Sequence, residues 1–589
     1  ESAHAVSELR PPWACLNAGS PMEEGPLPAT PEGAKALREL RQGLAEARGL
    51  LFSGKYLEAE GVAAAQGEAA SAAGLLGAQV EAAGLRGEAQ LRNGRLTEAE
   101  ATLSRGVMLA ETAQREDLTV ELSTLLSVTY LRESRLPESQ LWADHGKAAL
   151  RRMGGADDVV EAELLEQQAR LSSASGHWPD AAEPLKRAVQ LKLHALGPTH
   201  PEVAETMLAL AKEMKGGDQL GEALATARSA LQILEKTYPV EHPEVARAWS
   251  ALAQIHRDRG EHREELDYAR RVLEFRQRAA APGSMDLAGA HVNVATALDN
   301  LGEHERALVE YRVSLAALEA AFAEMKDRNA AIGSLVMSVG AQYWELGEDA
   351  ASLPYFQRSL QINERALAGH AQDPKMVHPL YAIGVALSGM GRAAEADRYF
   401  QQAVAAARRL SDRNYDLYYA YEAEGRAVYE RGQFARSRER MERALEVRKL
   451  TAPPDSAVLA LVEAELARAE LGDEQADAAW KRARAAVEVV EKVLGPEARR
   501  LAVALAVAGE ARRRLGDPAG GLPYLERAVA LCERYRYRPL LEAEARTWLA
   551  AALRDLHRDL PRAQALAAAA REQLAHGGGR AVIAPRVDR

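Results

Sequence analysis

Gly302-Glu-His-Glu-Arg-Ala307 is the stretch on which the fold is decided, because variants of it punctuate the chain. Gly94-Arg-Leu-Thr-Glu-Ala99, Gly176-His-Trp-Pro-Asp-Ala181 and Gly391-Arg-Ala-Ala-Glu-Ala396 follow the same plan, a glycine with an alanine five positions on. Glycine after an apolar run supplies the left-handed residue that closes an α-helix. The alanine then opens a second helix that lies close against the first. Related turns begin at Gly54, Ser134, Asp218, Gly260, Gly347, Gly432, Gly472, Gly516 and Arg558, which makes thirteen. From Ser134 through Gly176, Asp218 and Gly260 to Gly302 the step is 42 residues each time, and elsewhere it runs between 40 and 45.

Working outward from the turn, a small residue recurs seven positions before it: Ala211, Ala253, Ala295, Gly340, Gly384, Gly425 and Gly509. Larger residues such as Trp249, Leu252, Tyr311 and Tyr343 fill the space between. Strands would demand period-two alternation and β-branched residues, and neither is present. A single helix pair cannot bury its apolar face alone, so the pairs must stack into an array. The expected organisation is an extended leader over 1–33, rich in proline and carrying Trp13 and Cys15, a solenoid over 34–575, and a tail over 576–589. Bends are expected near residues 282, 374 and 454. The turn at Gly472 fits the pattern worst.

The connectors carry a second signature. Leu196-Gly-Pro-Thr-His-Pro-Glu-Val-Ala204 recurs as Pro239-Val-Glu-His-Pro-Glu-Val-Ala246, with His200 and His242 again 42 apart. Proline suits the first turn of a helix, where its missing N–H would have no partner anyway. Both histidines therefore read as connector residues. On these motifs the chain resembles tetratricopeptide-repeat arrays of the kinesin-light-chain type. That implies an all-α superhelical solenoid of about thirteen helix pairs. Together with Ala36-Leu-Arg-Glu-Leu-Arg-Gln-Gly-Leu-Ala-Glu-Ala-Arg48 and Leu560-Pro-Arg-Ala-Gln-Ala-Leu566, they also resemble the C-terminal repeat region of myxobacterial-type serine/threonine protein kinases. This second resemblance, with a first residue that is not methionine, favours an alternative reading in which a kinase catalytic domain precedes Glu1 in a longer parent protein.

Composition narrows the function. A formal charge of -11 repels phosphate backbones, so nucleic acid is not an expected partner. Two cysteines more than 500 positions apart read as reduced thiols, and no apolar run is long enough for a bilayer. A cytoplasmic location without membrane association is expected. His256-Arg257-Asp258 and His557-Arg558-Asp559-Leu560 spell a kinase catalytic triplet. The asparagine needed five residues after the aspartate is Arg263 in one case and Gln564 in the other. Gly389-Met-Gly391 is a repeat turn, and no metal-binding spacing of histidines or cysteines occurs. No enzyme activity, catalytic residue, cofactor or metal is expected in this chain.

In stacked repeats of this family the first helices line the concave face, at positions about 13, 10, 6, 3 and 2 before each turn. Before Asp218 and Gly260 these hold Lys212, Lys215, Arg247, Gln254 and Arg257, a basic patch suited to an acidic peptide or a terminal carboxylate. Before Gly347, Gly391 and Gly432 they hold Met337, Trp344, Tyr381, Tyr419, Glu422, Arg426 and Tyr429. Large aromatics and arginine dominate binding energy at interfaces. A register one residue out would make them core instead. The expected function is a non-catalytic scaffold that holds a protein or peptide in its groove. The alternatives are the regulatory or substrate-recruiting part of a serine/threonine kinase, and a small-molecule sensor.

Overall fold

A computed structural model of the chain describes residues 31–576, apart from 53–54, 155–157, 175–178, 217–218, 280–283, 325, 367–373, 411–414, 451, 453–455 and 536. The expected leader up to residue 30 and tail from 577, with Trp13 and Cys15, lie outside the described residues. So do Pro282, Pro453 and Pro454, whereas Pro374 opens a short 3-10 turn.

The described residues form 26 α-helices and no strand. In chain order they are α1 (Pro31–Phe52), α2 (Tyr56–Ala72), α3 (Leu76–Arg92), α4 (Leu96–Thr112), α5 (Glu116–Arg132), α6 (Leu136–Arg152), α7 (Asp158–Ala174), α8 (Pro179–Leu196), α9 (Pro201–Gly216), α10 (Leu220–Thr237) and α11 (Pro243–Asp258). There follow α12 (His262–Ala279), α13 (Met285–Asn300), α14 (His304–Ala321), α15 (Ala330–Glu345), α16 (Asp349–Ala366), α17 (Val377–Gly389), α18 (Ala393–Leu410), α19 (Tyr415–Glu430) and α20 (Phe434–Lys449). The last six are α21 (Ala457–Gly472), α22 (Ala476–Leu494), α23 (Leu501–Arg514), α24 (Pro518–Arg534), α25 (Pro539–Asp555) and α26 (Leu560–His576). Within each unit, odd-numbered helices pair with the next across their turns, as α5 does with α6 and α23 with α24. The chain divides into two compact units, residues 1–258 and 259–589.

The turns work as their chemistry requires. Gly94, Gly302, Gly391 and Gly516 all have φ between 76° and 87°, and Ser134 adopts 61° without being glycine. At the first of these, Gly94 N donates to Leu91 O and Arg95 N to Gln90 O, capturing carbonyls that the helix end leaves open. Early in the chain the turns between pairs are built the same way. Gly74, Gly94, Gln114, Ser134 and Gly154 are spaced 20 apart, and all have positive φ. Later, second helices lengthen to 18 residues, as in α10 and α12, and the connectors grow, which raises the step to 42.

The connector histidines are helix caps. His200 Nδ1 accepts from Glu202 N at 3.3 Å, and His242 Nδ1 from Glu244 N at 3.2 Å. Each therefore satisfies a first-turn amide of the helix that its following proline begins. His242 also stacks on Tyr238, with ring centroids 3.8 Å apart.

Within a pair, the alanines five past the turn (Ala99, Ala181, Ala223, Ala307, Ala396 and Ala563) are buried. Opposite them, the small residue seven before the turn receives a large side chain from the second helix. A methyl group on Gly340 would stand 2.7 Å from the Phe356 ring, and one on Gly384 2.8 Å from Phe400. The misfit at Gly472 is a register error of two. Gly472 is the last residue of α21, and the left-handed residue is Glu474, φ 64°. With the turn placed there, Ala467 and Ala479 fall on the two small-residue positions, and both are fully buried.

Candidate functional site

The second unit brings most of the sequence-predicted aromatic set together. Met337 and Trp344 of α15, Tyr381 of α17, and Tyr419, Glu422 and Arg426 of α19 all line one cavity of about 270 Å³. Ala341, Val385 and Ala423 lie between them, so apolar and aromatic surface dominates the wall. A second cavity of about 430 Å³ adjoins it, sharing Glu345, Tyr419, Glu422, Arg426 and Glu430. Its far wall comes from later repeats: Leu461, Ala464 and Arg468 of α21, Val503 of α23, and Tyr537 and Arg538 just before α25.

Tyr429 is not part of this wall. It is 3% exposed, stands edge-on to Phe434 and clusters with Leu540, Ala543 and Leu574. Its hydroxyl donates to Glu544 Oε1 at 2.7 Å, and Arg468 lies 4.5 Å over its ring. Residues of α25 cover this position, so Tyr429 serves as core.

Arg538 lines the larger cavity and packs on Trp344 of the smaller one. Its Nη1 donates to the Trp344 carbonyl at 2.9 Å, and its guanidinium lies 4.1 Å from the Trp344 ring centroid. Asp349 and Glu430 stand 3.6 and 3.8 Å away. Burial pushes the Asp349 carboxyl up to about 6, against the pull of Arg538. Arg426 also faces Trp344, at 5.7 Å, and pairs with Glu465 at 3.9 Å. Glu422 is held above the usual carboxylate range by burial, despite Arg426 beside it, and accepts a hydrogen bond from Tyr418. Tyr381 and Tyr419 stack at 6.4 Å, and burial raises both phenols.

In the first unit the expected basic patch is not basic. Arg247 is neutralised by Glu244 at 2.7 Å and Glu205 at 3.2 Å, and Lys212 lies 3.8 Å from Glu213. Gln254 is exposed and Arg257 half-buried, while the side chain of Lys215 lies outside the described residues. The position 13 before each turn holds Glu81, Glu121, Glu163 and Glu205 in four successive repeats. Loss of hydration, with the carboxylates Glu88 and Glu81 nearby, pushes Glu121 up to about 7, although the residue is still exposed. Burial, with Glu121 and Glu202 nearby, pushes Glu163 up to about 8, even with Lys192 opposing. Both carboxylates reach solvent, yet protein surrounds them on most sides. Charges of both signs therefore share this face, with Glu205 set against Arg247.

Both kinase-like triplets are structural. His256 is buried in α11, and His557 is a left-handed turn residue with φ 53°. Among the described residues, no group of three or more His, Cys, Asp and Glu is placed to hold a metal, and no helix is long and apolar enough to cross a membrane.

Sequence reasoning missed three parts of the site. Glu345 and Glu430 stand two positions before their turns and were open to the same rule. Leu461, Ala464 and Arg468 obey it once the turn is counted from Glu474 instead of Gly472. Arg538 sits in a connector, where no helical period applies.

Tetratricopeptide-repeat family profiles match residues 218–278 and 380–414. No curated protein matches this chain. Among solved structures, the chain is similar to the "kinesin light chain nearly identical TPR-like repeats" of Podosopora anserina, at 16% identity over 35% of this chain and 96% of that one, TM-score 0.32. It is similar to the apo form of RapI, at 15% identity over 63% and 98%, TM-score 0.49. It is similar also to the apo form of the quorum sensor NprR from B. thuringiensis, at 15% identity over 68% and 98%, TM-score 0.42. The helix pairs and the two family matches make the fold an all-α tetratricopeptide-repeat solenoid.

Proposed function

We propose that the second unit is a non-catalytic receptor for a peptide or protein segment, held in its paired cavities. One observation carries this reading. Six side chains placed on the inner face by repeat register alone converge on one cavity, and that cavity joins a larger one. A repeat that only packed against its neighbours would have no reason to line a void with Trp344, Tyr381 and Tyr419. Large half-buried aromatics beside arginine are the composition of binding hot spots. The two cavities together provide an extended site that one small molecule would not fill.

The test is binding of peptides selected from a random display library by the full chain. Trp344→Ala and Tyr381→Ala, each checked for an unchanged helical spectrum, are expected to weaken binding about 30-fold or more, as hot-spot truncations do. Unchanged affinity in both variants removes the cavity from the binding site.

A further inference from the structure

The cavity of about 270 Å³ is smaller than sites that enclose whole ligands, about 300–1,000 Å³. It has room for one long side chain. Its lining decides which. Tyr381 and Tyr419 offer aromatic faces, whose negative quadrupole attracts cations, beside a Trp344 ring that already carries Arg538 and Arg426. Among charged groups, Asp299, Glu345, Glu422 and Glu430 stand against Arg426 alone. Asp299 is engaged by His304 at 3.2 Å, Glu430 faces Arg538, and Arg426 is shared with Glu465. That leaves Glu345 and Glu422 with no cation of their own: both share Arg426, and His304 also lies near Glu345.

The chain supplies its own example of the chemistry. In the adjoining cavity, the Arg538 guanidinium lies 4.1 Å from the centroid of the same tryptophan, donates to a backbone carbonyl and is flanked by two carboxylates. A guanidinium brought by another chain would find the same partners one step inward: an aromatic face and the carboxylates of Glu345 and Glu422.

We propose that this aromatic and acidic chamber is the anchor pocket for a cationic side chain, arginine or lysine, of the bound peptide. The inference deepens the peptide-receptor reading and rests on it. Here an apolar stem contacts Met337, Ala341 and Val385, and the charged head reaches the carboxylates. Long basic side chains are built for that division.

The experiment selects peptides from a random display library with the full chain, then measures chosen peptides by titration. Selected peptides are expected to share an arginine or lysine beside an apolar residue. Replacing that arginine by citrulline, which keeps the shape and removes the charge, is expected to weaken binding about tenfold or more, and the E345Q/E422Q variant to lose a similar factor. The citrulline arm uses the unaltered protein, so it decides the matter even where the variant fails to fold. Selection of acidic or uncharged peptides overturns the cationic pocket while leaving the receptor reading standing. So does indifference to citrulline. Failure to select any peptide overturns both.

Discussion

At the scale of single residues, the repeat is held by contacts that leave no room for exchange. Gly384 admits the Phe400 ring because it has no side chain, and Phe400 is fully buried against it. Asp349 shows the opposite economy. It is 7% exposed, beside Gly389, and its Oδ1 is buried without a hydrogen-bond partner despite Arg538 nearby. Burial lifts its carboxyl from 3.8 to about 6, so the folded chain holds a proton that the unfolded chain gives up. Its contribution to stability is therefore full below about pH 4 and is lost as pH rises through about 6. Relative to Asp349→Asn, the natural protein is expected to lose on the order of 2–3 kcal/mol between about pH 4 and about pH 7. Denaturant unfolding of both proteins across that range measures it. Arg538 and Glu430 are common to both and cancel in the difference. A difference independent of pH would show that Asp349 ionises normally.

At the scale of the element, the turn is the unit of information, and the Glu474 turn shows both its reach and its failure. Glycine marks most of these turns because left-handed backbone is costly for any residue with a Cβ. Where the chain uses Ser134, Gln114 or Glu474 instead, the marker disappears while the geometry persists. Gly472 then became a decoy. It is helical, and it is glycine for another reason: a methyl group there would stand 2.4 Å from the Phe434 ring. Two substitutions separate the roles. Glu474→Gly is expected to stabilise by about 1 kcal/mol, by relieving the left-handed residue. Gly472→Ala is expected to cost about 1–3 kcal/mol through overpacking. Thermal unfolding of the two variants tests the assignment, and the reverse order would restore the turn to Gly472. The fold was legible because helix length, turn residue and small-residue contacts all repeat, so an error in one repeat was outvoted by the others. The aromatic half of the site was legible for the same reason, since inner-face positions follow from register. The basic patch was misread because Arg247 meets Glu244 on its own helix and Glu205 at the matching groove position of the repeat before, and only the cations of that face were counted.

At the scale of the whole molecule, the two units differ in how far their contacts reach. Within the first, hydrogen bonds such as Gln167 to Ser127 and Arg132 to the Leu91 carbonyl join adjacent repeats, as a solenoid should. Within the second, α25 and its connector reach much farther back. Arg538 meets Trp344, 194 residues earlier, and Glu544 meets both Tyr429 and Arg468, 115 and 76 residues earlier. Inner-face positions that would be open in a longer spiral are thus closed by the unit's own last repeat, which is why Tyr429 became core and why the cavities have a far wall. The linchpin is the Arg468–Glu544 pair, 2.6 Å apart with side chains 8% and 1% exposed. Glu544→Ala leaves a buried guanidinium and a buried phenol without their acceptor, at an expected cost of about 3–5 kcal/mol. The paired change Arg468→Met with Glu544→Leu is expected to cost less than that single change, because no uncompensated charge remains. Hydrogen exchange on the native protein distinguishes closure from ordinary neighbour stacking. If the contact closes the unit, Glu544→Ala lowers protection in α19 and α21 together with α25, across the intervening helices. If stability propagates only between neighbours, the loss stays in α25 and α26 and fades through α24 before it reaches α21.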